Sequence, residues 1–551
     1  MCFFKCWFYL SIFLILLNCS GCSQKTATTT STGTTGTSSL ILSGTLTYDF
    51  ISASTGNLNY AGKTQKPMRK VYVELLNAST NVVLGTNSTN ELGGYSFTLT
   101  SSATVKLRIY AEMKSPPVII QDNTNSSAEY VLVSANINVT GATTFNVNAS
   151  SGWTGSNTTG SYTSTRISAP FAMLDSIYTI TKKINADRPS IVFPLLKLNW
   201  SINNVAVSGT YSSGNIGTSH YNSSTKQLYV LGKFDADTDE FDNHVIVHEW
   251  GHFFEDNLSR SDSAGGSHGS GDEKDISLAF GEGWGNALSA MAFDPDYNYV
   301  DTFGSKQQTG FIMNMESGTD PNKGWFSESS IQQILYDIYD TTNETGDSLN
   351  IGIGAIIDVL TNYEKTTPAA TSLFTFIYGL KINIPSASTD LNTLLANKNI
   401  SSITSPYGTG ETHDGGWVKN LPIYNSITLG GVAAPFSLYG DFGGSDYYGL
   451  DNTIFNNKYL NFTATSSVTR LVVTSTNTFG LDVYYKGSLV NSQSSKRLSA
   501  ASFGPFTYNI STISGNTYSV NVWTDQAEVY TFISPLPPSP IVDLTITGSA
   551  H

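Results

Sequence analysis

Five consecutive residues, His248-Glu249-Trp250-Gly251-His252, constrain this 551-residue chain more than any other stretch. On a helix of about 3.6 residues per turn, positions i and i+4 share a face, so the two imidazoles can converge on one metal ion. Glu249 then lies beside the open coordination position of a zinc site, where a carboxylate can take a proton from water. A fold that uses this spacing needs a helix here and a further ligand brought in from elsewhere. The chain holds only seven His. Two of them bracketing a Glu at this interval make an amphipathic helix with incidental histidines a poor account.

At 59.4 kDa the chain is too long for one ordinary core, and several domains are expected. A net charge of -14 leaves no basic stripe to neutralise phosphates, so a nucleic-acid partner is excluded. Only 13% of residues are charged, whereas Tyr and Phe number 29 and 28, a mix typical of exported β-rich proteins.

The first residues predict export. Lys5 precedes an apolar run from Trp7 to Leu17 and small residues at Ser20-Gly21, which reads as a signal peptide over 1–21. That run is shorter than the roughly 20 residues a membrane-spanning helix needs. All four cysteines, Cys2, Cys6, Cys19 and Cys22, fall in this segment, so the body of the protein has no disulfides. The segment Leu17-Asn18-Cys19-Ser20-Gly21-Cys22 resembles the lipobox of bacterial lipoproteins. The resemblance implies a lipid on Cys22 and a place on the cell envelope, at the outer membrane or cell surface. Cleavage by an ordinary signal peptidase would instead release the protein. Residues 22–39, rich in Thr, Ser and Gly, suit a flexible tether.

Alternating apolar residues then predict antiparallel β-structure over 40–148, with Leu42, Leu46 and Tyr48, then Val71, Val73 and Leu75, then Tyr95, Phe97 and Leu99. The stretches SGTLTYDF, RKVYVELLNA and TNELGGYSFTL resemble the prealbumin-like or carboxypeptidase-regulatory-like β-domains found beside secreted enzymes. A Gly/Ser/Thr-rich linker is expected over 149–165. A helix starts at Pro170 and directs Phe171, Leu174, Tyr178 and Ile184 to one side.

Before the His pair lies an acidic loop, Asp235-Ala236-Asp237-Thr238-Asp239-Glu240-Phe241-Asp242. Asp242 or Asn243 is placed to cap the motif helix. The D-x-D-x-D spacing could also offer oxygens to calcium, although the Gly of an EF-hand loop is missing. The motif helix should run to about Leu258, followed by a Gly/Ser-rich loop over 259–275 and a second helix from about Ala279 to Met291.

The remaining ligand decides the class of site. Positions 255 and 258 are Glu and Leu, which excludes an extended motif with Gly and a third His. Glu282, in AFGEGWGNA with glycines on either side, is the preferred third ligand, ahead of Glu273 and Asp275 in the loop. On His248, Glu249, His252 and Glu282, residues 166–424 resemble a gluzincin, the thermolysin-like class of zinc metallopeptidase with a zincin fold. The resemblance implies Zn2+ as cofactor, Glu249 as general base and then acid, and a polypeptide substrate. Thermolysin-like enzymes have Asp four residues after the ligand Glu; here Asn286 stands there, as a weaker hydrogen-bond partner for His248. Asp262 or Asp275 could serve instead.

Such an enzyme also needs a donor for the oxyanion. Tyr336 is the preferred candidate, ahead of Tyr339, His268 and His413. Ser330 and Gln333 could form a capping box for the helix that carries Tyr336.

After 424, alternation returns in YLNFTA, RLVVTS, LDVYYKG and YSVNVWT, which resembles the pre-peptidase C-terminal β-sandwich over 425–534. A Pro-rich tail is expected over 535–551. The fold class expected is therefore a multidomain α+β protein, a zincin-like core flanked by antiparallel β-sandwiches. Three other readings share these features: a zinc hydrolase of non-peptide substrates, a degenerate zincin acting as a surface adhesin or binding lipoprotein, and a purely structural surface lipoprotein.

Overall fold

The computed structural model describes residues 40–342, 346–416, 420–438, 441–442, 452–454, 456–475, 479–490, 505–523, 527–528 and 542–550. The expected signal peptide, Cys22 and the tether lie outside the described residues, as do residues 535–541 of the expected tail. From Leu40 onward the protein is mixed α/β, with many β-sheets and, among the described residues, seven α-helices.

The N-terminal strands form as the alternation predicts. Strand Leu40–Phe50 pairs antiparallel with Gly94–Leu99, with Leu42 opposite Phe97, and parallel with Val147–Ala149, with Leu46 opposite Val147. Leu42, Leu46 and Tyr48, two or four residues apart, are buried on one face. Strands Val71–Asn77, Ala103–Lys114 and Pro117–Asp122 belong to a second sheet of ten strands.

That sheet does not stop at the expected linker. Strand Pro117–Asp122 pairs parallel with Leu196–Trp200, Ile120 opposite Leu198, and Leu196–Trp200 pairs parallel with Gln227–Val230. The last strand on this side, His220–Asn222, pairs only with Gln227–Val230 and forms the sheet's edge. One hydrophobic core runs from Leu42 through the helices to Tyr459. Residues on both sides of 149–165 therefore share a sheet and a core.

Helix α1 (Ala169–Asp187) starts at the predicted proline and buries Phe171, Leu174, Tyr178 and Ile184. Helices α2 (Asn243–Leu258) and α3 (Ile276–Phe293) carry the metal motif and Glu282. Asp275 caps α3, its carboxylate accepting from the Ser277 N–H at 3.0 Å. Asp242 occupies the N-cap position of α2 but does not bond its first turn. Its carboxylate instead accepts from the backbone N–H and hydroxyl of Thr302, at 3.0 and 2.7 Å.

Helix α4 (Glu328–Tyr339) is capped by Ser327, whose hydroxyl accepts from the Ser330 N–H. The expected box on Ser330 and Gln333 does not form, because Ser330 lies inside the helix and donates to Asp320 at 2.7 Å. Helices α5 (Ile353–Asp358), α6 (Leu373–Asn383) and α7 (Ser388–Asn397) complete the helical part.

A separate core, from Ile427 to Ile546, belongs to the C-terminal β-structure. One sheet centres on Asn457–Thr463 and Thr517–Trp523, the other on Val468–Ser475 and Val542–Ala550. The last of these lies in the region expected to be a tail. It pairs with both Ala434–Leu438 and Val468–Ser475, and the alternation Val542, Leu544, Ile546 is its sequence signal.

Candidate metal centre

Helices α2 and α3 approach closely where glycines face each other. A Cβ on Gly251 would lie 3.2 Å from the Gly285 Cα. A Cβ on Gly285 would lie 2.8 Å from the His248 ring, and one on Gly283 would lie 2.6 Å from Ile331 on α4. The absence of side chains at 283 and 285 thus lets α3 sit against both α2 and α4. The Trp284 indole donates to the Gly251 carbonyl at 3.2 Å and ties the pair together.

This packing brings His248, His252 and Glu282 to one point. His248 Nε2 is 3.1 Å from His252 Nε2 and 3.2 Å from Glu282 Oε2, and His252 Nε2 is 3.4 Å from the same carboxylate oxygen. For ligands at about 2.0–2.1 Å from a tetrahedral zinc, the donor–donor separation is about 3.3–3.4 Å. The three contacts fit that ion.

The tautomer fits as well. The Asn286 amide donates through Nδ2 to Gln332 Oε1 at 2.8 Å, which turns its Oδ1 toward His248 Nδ1, 2.9 Å away. Nδ1 therefore carries the proton and donates, and the Nε2 lone pair faces the centre. Asp262 and Asp275 are committed elsewhere, to Arg260 at 2.7 Å and to the Tyr459 hydroxyl at 2.7 Å.

Burial would raise the Glu282 carboxyl, but the charge of His252 holds it well below its ordinary range. Burial would lower His252, yet the charge of Glu282, backed by Glu249 and Glu255, pushes it up to about 10. Burial likewise pushes the fully enclosed Glu255 up to about 8.

Glu249 stands beside the three donors and accepts from the Tyr221 backbone N–H at 2.7 Å. Tyr221 lies on the edge strand His220–Asn222, so this N–H points away from the sheet and toward the motif helix. Together these groups line an open cleft of about 1040 Å³, with Thr218–Tyr221 along one part and the loop Ser261–His268 along another.

His268 shares a carboxylate with the motif histidines. Its Nε2 is 3.2 Å from Glu282 Oε2 and its Nδ1 is 2.8 Å from Glu328 Oε2, and it lines the cleft. Tyr336, the preferred donor candidate, is not among the cleft-lining residues. It is 1% exposed, and its ring packs against Tyr339. Tyr339 is held at Asp294 and Lys183, and His413 packs on Phe326. The structure thus brings Glu249, His268 and the three donors together, and leaves Tyr336, Tyr339 and His413 outside.

Among solved structures, the chain is similar to the pre-peptidase C-terminal domain of a collagenase from Bacillus anthracis, at 13% identity, covering 23% of this chain and 94% of that one, with a TM-score of 0.14. A DUF3823 family protein from Bacteroides uniformis is 12% identical, covering 20% of this chain and 42% of that one, with a TM-score of 0.12. A 9R-lipoxygenase from Cyanothece is 13% identical, with coverages of 28% and 24% and a TM-score of 0.15. Similarities this low carry no weight for fold or function. No curated protein matches the chain. Residues 196–379 match the family of the Mycolysin C-terminal domain, a segment that contains His248, Glu249, His252, His268 and Glu282. That match points to a protease-related protein.

Proposed function

We propose that this protein is an exported zinc metallopeptidase that hydrolyses peptide bonds in the cleft over His248, His252 and Glu282. One observation supports the reading above the others: three donor atoms within 3.1–3.4 Å of one another lie beside a carboxylate in an open cleft. When bound, zinc would supply Lewis-acid polarisation of the scissile carbonyl and would acidify water. His248, His252 and Glu282 would hold it, with Asn286 keeping His248 in its proton-donating-at-Nδ1 tautomer. Glu249 acts as the proton carrier, accepting at a carboxylate oxygen and delivering to the leaving amine. The Tyr221 N–H fixes that carboxylate by donating to it at 2.7 Å. His268, which lines the cleft, would turn its Nε2–H from Glu282 to the charge that develops on the carbonyl oxygen.

The reading is tested by digestion of casein or a peptide library, with and without chelator. Glu249→Gln should keep zinc and lose hydrolysis by at least about 100-fold. Full activity of that variant would refute the mechanism, and zinc retention with no hydrolysis by the unaltered protein would favour a binding lipoprotein.

For location, we propose a lipid anchor at Cys22, on the strength of the leader and its small residue before the cysteine. No described helix is long and apolar enough to cross a membrane. Fatty-acid labelling that persists in Cys22→Ser would remove this proposal.

A further inference from the structure

The loop that carries His268 is anchored at its two ends. Toward α2, Arg260 pairs with Asp262 at 2.7 Å and donates to the Thr367 carbonyl at 2.6 Å. Asp262 in turn accepts from the Thr371 N–H at 2.9 Å. Toward α3, the Asp275 carboxylate caps the helix and accepts from the Tyr459 hydroxyl at 2.7 Å. Between these anchors Ala264, Gly266 and Ser267 are exposed. Gly265 and Gly266 have φ of +70° and +102°, a backbone that glycine adopts without strain. Such a stretch keeps one shape only if contacts from elsewhere impose it.

Asn452 supplies those contacts. Its side-chain Nδ2 donates to the Gly265 carbonyl at 3.1 Å and to the Ser267 carbonyl at 3.0 Å. Among the described residues, no other distant residue hydrogen-bonds the stretch 264–267. Asn452 is itself only 1% exposed, and its backbone is fixed. Its carbonyl accepts from the Asp275 N–H at 2.9 Å, and the Ile454 N–H donates to the Glu273 carbonyl at 3.2 Å. This short antiparallel contact, with Lys274 opposite Thr453, carries the amide to the loop.

Ser267 directly precedes His268, whose imidazole meets Glu282 on α3 and Glu328 on α4. Those carboxylates orient the ring, whereas the backbone behind it is set by Asn452, 185 residues after Ser267. Asn452 lies just ahead of strand Asn457–Thr463, which pairs antiparallel with Thr517–Trp523 in the C-terminal β-structure. The C-terminal region thus reaches the wall of the cleft through one side chain.

We infer that Asn452 is a positioning residue for His268, holding the Gly265 and Ser267 carbonyls so that the loop presents the imidazole to the cleft. The inference rests on the part proposed for His268 at the carbonyl oxygen. A side-chain amide suits the task, because its NH2 group has two protons, one for each carbonyl. A carboxylate of the same shape has none and would face two oxygens. A misplacement of about 1 Å is enough to cost a positioned group much of its effect on the reaction. On this account the C-terminal region helps to build the cleft and is not only an appended β-domain.

The test is a double-mutant cycle on the full zinc-loaded chain, with hydrolysis of labelled casein and zinc content as readouts. Asn452→Asp should lower kcat by about tenfold or more, with KM within about twofold and zinc content unchanged. Added to His268→Ala, it should lower kcat by no more than about twofold further, because the group it positions is gone. If Asn452→Asp does not fold, Asn452→Ala, which removes the amide without adding a charge, takes its place in the same cycle. Equal falls in both backgrounds, or loss of zinc, would make Asn452 a general support of the fold and overturn the inference. So would an unchanged kcat in the Asn452 variant where His268→Ala lowers it, a result that leaves the part of His268 standing. An unchanged kcat in His268→Ala itself would remove that part and this inference together.

Discussion

Replacing Gly285 with Ala separates the packing of α3 from the metal site it serves. The added methyl would sit 2.8 Å from His248 Cε1 and Nδ1 and 3.0 Å from Cγ, inside normal contact distance. Within a helix the change from Gly to Ala is worth about 1 kcal/mol of stability. Overpacking costs about 1–3 kcal/mol, so the metal-free protein should lose at most about 2 kcal/mol. The ring is the part that must move, and with it the contact from Nδ1 to Asn286 at 2.9 Å. Disturbing the partner of a metal-bound imidazole typically lowers metal affinity by about 10–100-fold, or about 1.4–2.7 kcal/mol. Urea unfolding of the metal-free protein and competition with a chromophoric zinc chelator measure the two effects. Zinc affinity within about twofold of the unaltered protein would refute the account of how α3 positions His248.

His268→Ala should lower kcat by about 100-fold or more with zinc content unchanged, read by steady-state kinetics and metal analysis; loss of zinc would make His268 a ligand instead. Glu364 is fully buried and pushed up to about 8 by burial, which Thr375 and Arg260 only partly offset. Its folded value lies above the unfolded one, so its contribution is complete below about pH 4.5 and is lost as pH rises through about 8. The loss is on the order of 4 kcal/mol, and Glu364→Gln should show a smaller fall in Tm between pH 5 and 9 than the unaltered protein. Equal falls in the two would place the pH dependence elsewhere.

What could be read from the sequence was local in character. The His248–His252 interval is set by one turn of helix, and the glycines around Glu282 announce a close approach before the partner helix is known. Helix α1 was signalled by Pro170 and its apolar spacing. What escaped depends on contacts distant in the chain. The pairing of Ile120 with Leu198 joins segments more than 70 residues apart, and parallel strands leave no hairpin turn to mark it.

The donor candidates show the same limit. Every residue from Glu328 to Ile338 is buried, the polar ones included, so the polar side of α4 does not mark solvent, and Tyr336 does not line the cleft. His268, in a Gly/Ser-rich loop with no periodicity, owes its position to Glu282 and Glu328 on two different helices.

The most direct test is a crystal structure of the zinc-supplemented protein with anomalous data across the zinc edge. A single zinc bonded to His248 Nε2, His252 Nε2 and Glu282, each at about 2.0–2.2 Å, is the predicted result. No anomalous peak between α2 and α3, or a zinc bound there without Glu282, would contradict it.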